Sequence, residues 1–136
     1  MNKAHKTEKK LKILFLYPNL NMSTLVPNAI SILSAVLKED GFKNIDLFDT
    51  TFYQTREDSK DEDRVKHGQV QPFNFVERGI KLKQSDMYQD FIRKIDEFKP
   101  DVIYASIVED TFPIFINFME LLRGREFIVL AGGVFP

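Results

Sequence analysis

The sequence contains no cysteine among its 136 residues. Disulfides, thiolate metal sites, thiol nucleophiles and cysteine-ligated iron–sulfur clusters are therefore excluded within this chain. No apolar run approaches the roughly 18 residues of a membrane span. The stretch 13–17 is too short for a signal-peptide core and runs straight into Pro18 and Asn19. No membrane partner is expected, and a cytoplasmic setting fits. The net charge is −1, so no basic field invites nucleic acid. Several ligand motifs are also missing. Nothing resembling G-x-G-x-x-G or G-x-x-x-x-G-K follows the first strand, which removes the usual dinucleotide and nucleotide-phosphate cradles. There is no G-x-S-x-G elbow for a serine nucleophile. A phosphoacceptor receiver would carry an acidic pair after strand 1; Tyr17-Pro18-Asn19 stands there instead.

What is present suits a single domain. Hydrophobic residues make up 43% and charged residues 29%, and 13 phenylalanines supply bulky core material. Residues 1–11 read as a basic, solvated leader. Residues 12–136 read as one α/β domain interrupted by a charged insertion at 54–84. Lys12 to Tyr17 is an unbroken apolar run, as in a strand buried on both faces. From Pro27 the period changes to that of a helix, with Ala29, Ile32, Leu33, Val36 and Leu37 as its inward stripe and Gly41 just past its end. Residues 45–49 form a second strand. A helix starting near Ser85 or Asp86 places Tyr88, Phe91, Ile92 and Ile95 on one face, and Pro100 stops it. Residues 101–107 form a third strand. Thr111 is placed to cap a helix with Pro113 in its first turn and Phe115, Phe118, Met119 and Leu122 as its buried stripe, ended by Gly124. Residues 127–131 form a fourth strand, followed at once by Gly132-Gly133. This alternation predicts a Rossmann-like, flavodoxin-like parallel sheet of order 2-1-3-4 with helices on both faces, lacking a fifth strand. Within the insertion, Gln54 to Gln69 is dense in charge of both signs, whereas 70–83 regains apolar residues and is expected to pack back in part.

Ligands of open parallel sheets lie beyond the carboxyl ends of the strands. Here those ends are the segments 17–22, 108–111 and 132–136. Ser106 closes strand 3 and Gly132-Gly133 closes strand 4. A glycine pair at such a place has two uses: it turns the chain through positive φ, or it lets a flat ligand lie against bare backbone. Ser106 alone reads as a strand-end hydroxyl bonded to local backbone. Glu109 and Asp110 read as acids near a helix N-terminus.

Taken together, Ser106-Ile107-Val108 at the end of strand 3 and Gly132-Gly133 at the end of strand 4 resemble the cobalamin-binding domain family. Tyr17-Pro18-Asn19, Pro27, Lys99-Pro100-Asp101 and Gly132-Gly133-Val134-Phe135-Pro136 are most similar to the N-terminal domain of cobalamin-dependent radical SAM enzymes. The resemblance spans about residues 11–136. It implies a corrin ring resting on the loops of strands 1, 3 and 4, with the nucleotide tail in a groove between strands. Asn19, Leu20, Ser23 and Thr24 would form the loop beneath the ring. Ser106 and Thr111 would donate hydrogen bonds, flanked by Ile107 and Val108. Gly132, Gly133 and Val134 would allow close backbone approach.

The chain departs from related branches in two ways. The D-x-H-x-x-G loop that supplies a lower cobalt ligand is missing, and neither His5 nor His67 lies in a ligand loop. The C-x-x-x-C-x-x-C cluster loop is missing too. The resemblance therefore implies a cobalamin-holding piece of a longer enzyme, methyltransferase-like, with no catalytic activity of its own and a radical SAM domain, in the same or another chain, as partner. Strand 4 would otherwise be an uncovered apolar edge. A non-catalytic α/β interaction or regulatory domain that binds no corrinoid is the alternative. A half-domain binding another ligand, such as a nucleotide sugar, is a third reading.

Overall fold

The computed structural model describes residues 9–20, 27–54, 60–72 and 74–133, with the side chains of 60–62 left aside. Strand β1, Ile13–Tyr17, is buried along its whole length. That is what an unbroken apolar run predicts when both faces of a strand are covered. Helix α1, Asn28–Glu39, leads to β2, Ile45–Asp49. A short helix α2, Lys60–Lys66, lies in the insertion. Helix α3, Met87–Phe98, precedes β3, Val102–Ser106. A 3-10 turn at Glu109–Thr111 leads into α4, Phe112–Leu121, and then β4, Ile128–Gly132.

The strands form one parallel sheet in the order β2-β1-β3-β4. This is the flavodoxin-like order expected of the alternating pattern. Strand alternation sends Leu14 and Leu16 toward α3 and α4, where they join Phe48, Phe91, Ile103, Ile114 and Phe118 in the larger core. Phe91 and Phe118 meet edge to face, ring centroids 4.6 Å apart. Ile13, Phe15 and Tyr17 face the other way, against Ile30 of α1, with Val102 and Tyr104 beside them.

Local chemistry sets the boundaries. The Asp86 carboxylate caps α3, accepting from the N–H groups of Tyr88 (2.7 Å) and Gln89 (3.2 Å). Lys99 ends that helix in the left-handed region, at φ 51°, just before Pro100. Asp101 then ties two strands together. Its carboxylate accepts from the Lys12 N–H at 2.7 Å and its own N–H donates to the Lys12 carbonyl at 2.9 Å. The Lys99-Pro100-Asp101 stretch therefore does its work at the amino end of the sheet, opposite the ligand-binding edge.

Two sequence expectations need correction. The inward stripe of α1 is Ile30, Leu33 and Leu37; Ile32 and Val36 point outward, 65% and 56% exposed, and Ala29 is exposed as well. From Ala29 to Leu37 the helix is apolar on every side apart from its serines, so its period fits more than one phase. Thr111 stands at the N-cap position of α4, but its side chain makes no capping bond to that helix.

The insertion does pack back in part. Phe75 is buried, its ring 6.3 Å from that of Phe52. Lys83 pairs with Tyr53 as an isolated parallel bridge. The strand edges differ in character. Along β2, alternate residues from Asn44 to Thr50 bond to β1, which leaves the Leu47 N–H facing outward, and Asp46 Oδ1 accepts it at 2.8 Å. Along β4, Ile128, Val129 and Leu130 are exposed.

Candidate functional site at the carboxyl edge of the sheet

The sheet order brings the carboxyl ends of β1, β3 and β4 side by side, so Asn19, Leu20, Ser106, Ile107, Val108, Thr111, Gly132 and Gly133 share one edge of the molecule. Ser23, Thr24 and Val134 lie outside the described residues.

Beyond β1 the chain is held down hard. Pro18, Asn19 and Leu20 are buried. The Asn19 N–H donates to Thr50 Oγ1 at 2.6 Å, and the Thr50 hydroxyl donates to the Asn19 carbonyl at 2.7 Å. The Asn19 amide Nδ2 donates to Thr51 Oγ1 at 2.9 Å. That hydroxyl in turn donates to Asp49 Oδ1 at 2.5 Å, and the Thr51 N–H reaches the same oxygen at 2.8 Å. Thr50 and Thr51 are wholly buried. Such small polar groups survive burial because each is bonded. The Asn19 amide is thus a brace between the ends of β1 and β2. Thr50 and Thr51 are site residues that the sequence reading passed over. The signal was there, since Asp-Thr-Thr directly after a strand is a cluster of side chains that bond to local backbone. Burial, helped by the Asp49 carboxylate, raises the Tyr17 phenol pKa, which keeps the phenol protonated at the end of β1.

Beyond β3, Ser106 sits half-buried directly opposite Gly132. Ile107 is buried, and its N–H donates to the Gly132 carbonyl at 2.8 Å. Val108 is 45% exposed at the rim. Thr111 folds back onto it: the Val108 N–H donates to Thr111 Oγ1 at 3.1 Å, and the hydroxyl donates to the Val108 carbonyl at 3.2 Å. The Thr111 hydroxyl, expected as a donor to a ligand, is therefore committed to its own loop.

The two glycines have different reasons to be glycine. A Cβ at Gly133, where φ is 149°, would fall 1.8 Å from the Ile107 carbonyl oxygen. That position is set by close approach of two backbone segments. At Gly132 a Cβ would meet only the tip of Tyr104, its hydroxyl at 3.0 Å. The result is a low shelf at the ends of β3 and β4, poor in side chains, with the Ser106 hydroxyl and the Val108 side chain at its border.

No cluster of three or more His, Asp or Glu side chains able to hold a metal occurs among the described residues. His67 lies in the insertion, its Nδ1 2.7 Å from the Asp63 carbonyl; His5 lies outside the described residues. No helix among the described residues is long and apolar enough to cross a membrane. In comparison with known proteins, no family model, no curated protein and no solved structure matches the chain.

Proposed function

We propose that the chain is a cobalamin-binding module, of the kind that precedes a radical SAM domain. The observation that carries this reading is the side-chain-poor shelf where Ser106 faces Gly132 at the carboxyl ends of neighbouring parallel strands. Flat ligands of open α/β sheets lie at such an edge. The residues fit a broad planar macrocycle in part. Gly132 and Gly133 bring no side chain of their own, although the Tyr104 hydroxyl lies against Gly132; Ser106 offers a hydroxyl, and Val108 offers an apolar rim. Asn19 and Thr111 support the loops from beneath, because their polar groups are bonded internally. Cobalamin, when bound, supplies methyl-transfer chemistry; this chain's own residues hold and orient it.

The test is to mix the purified chain with hydroxocobalamin, remove free cofactor and record the visible spectrum. Retained corrin absorbance is expected, and its absence from a folded sample argues against the reading. A Val108→Arg variant, altered at an exposed rim, should fold and lose the absorbance. Normal binding by that variant would show that the ring lies elsewhere.

One observation favours a second reading, a non-catalytic interaction domain. Ile32 and Val36 on α1 and Ile128 to Leu130 on β4 are exposed apolar side chains. Exposed apolar surface of this kind often marks contact with another protein surface.

A further inference from the structure

A second site lies away from the shelf. A cleft of about 390 Å3 runs along the outer edge of β2. One wall is β2 itself, with Leu47 at its rim. The other is a single face of α3, formed by Asp90, Arg93, Lys94 and Glu97 at i, i+3, i+4 and i+7. Phe52, Tyr53 and Lys83 close one end. Its volume falls within the range typical of small-ligand sites.

The charges at that end form a connected set. Asp90 is the hub: it accepts from Tyr53 Oη at 2.9 Å, Ser85 Oγ at 2.7 Å and Arg93 Nη2 at 2.6 Å. These bonds hold its carboxyl below the ordinary carboxylate range. Lys83 Nζ donates to Tyr53 Oη at 3.4 Å and stands 4.6 Å from the centre of the same ring. Lys83 has no carboxylate partner among the described residues. Arg93 is thus anchored on Asp90, and Lys83, linked to it only through the Tyr53 hydroxyl, keeps donor capacity that no carboxylate takes up, although the lining as a whole, with Asp49, Asp90 and Glu97 among it, carries no net positive charge. Lys94 adds no further open donor, being paired with Asp46 outside the cleft. Beside the cations, Phe52 and Leu47 offer exposed apolar surface.

We propose that this cleft binds a small monocarboxylate with an apolar body. Its carboxylate is held by Lys83 and Arg93, and its body lies on Phe52 and Leu47. A polyanion is disfavoured because Asp49 and Glu97 line the same cleft, Glu97 about 10 Å along α3 from Asp90 at 1.5 Å per residue. Tyr53 and Asp90 are positioning residues that fix the two cations.

The experiment is an amide-shift NMR titration of the chain with 3-phenylpropionate, with acetate and inorganic phosphate as comparators. Saturable shifts are expected at residues 52–53, 83 and 90–94. Acetate should bind more weakly, having no apolar body. Lys83→Gln should weaken 3-phenylpropionate about tenfold, the scale of one lost charged hydrogen bond. Arg93→Gln, at a highly exposed side chain, is the second variant should Lys83→Gln not fold. The proposal fails if 3-phenylpropionate gives no saturable shift, if a folded variant binds as the parent does, or if phosphate binds more tightly than 3-phenylpropionate.

Discussion

Replacing Gly133 with alanine tests whether the shelf is built by backbone approach. The new Cβ would stand 1.8 Å from the Ile107 carbonyl oxygen and 2.9 Å from its carbonyl carbon. Carbon–oxygen contacts in proteins settle near about 3.3 Å, so the oxygen must retreat by about 1.5 Å. A move of that size breaks the 2.8 Å bond from the Ile107 N–H to Gly132, at a cost of about 1 kcal/mol. Holding an alanine at φ 149° adds about 1–3 kcal/mol of backbone strain. The expected loss is therefore about 2–4 kcal/mol, read by urea denaturation with an unchanged slope. Gly132→Ala is the control. Its Cβ meets only the Tyr104 hydroxyl, at the end of a side chain that can swing, so about 1 kcal/mol or less is expected. The reasoning is refuted if Gly133→Ala stays within about 0.5 kcal/mol of the parent, or if Gly132→Ala proves the costlier change.

Other consequences can be checked with the same denaturation assay. Asp101→Ala removes the acceptor for the Lys12 N–H and should cost about 1–2 kcal/mol, with faster hydrogen exchange at Lys12. Ile32→Glu, on the outward face of α1, should change stability by no more than about 0.5 kcal/mol, whereas Leu33→Ala should cost about 2 kcal/mol or more; an Ile32→Glu cost as large as that of Leu33→Ala would restore the helix phase that the sequence suggests, in which both residues face inward. Asp90 titrates below its unfolded value. Its contribution is therefore complete above the unfolded pKa near about 4 and fades as pH falls through the lower folded value. Asp90→Asn should be less stable at neutral pH, and the gap to the parent should narrow in acid.

The sheet was legible because its strands are short apolar runs closed by proline, glycine or small polar residues. Each of the four was placed to within a residue or two, and Phe91, Ile95, Phe115 and Phe118 were assigned to the buried faces they occupy. The phase of α1 was not legible, because a helix apolar nearly all round has no single inward stripe. The candidate edge was legible as a place, since strand order fixes which loops meet. The roles within it were less so. Whether Asn19 and Thr111 face a ligand or their own loops depends on contacts with Thr50, Thr51 and Val108, and composition and spacing do not encode those distances. The glycine pair looked like one feature, yet Gly133 is bound by a backbone contact and Gly132 is not.

The unequal margins of the sheet give the molecule a direction. At the β2 margin, Asp46 occupies the outward N–H of Leu47 and is itself held by Lys94, so an approaching strand meets a filled donor and a pair of charges. The β4 margin carries Ile128, Val129 and Leu130 without a charged side chain among them. Lateral growth of the sheet, whether useful assembly or unwanted aggregation, is therefore steered to a single flank. A lysine placed on β4 is the change that would keep the isolated domain dispersed at high concentration.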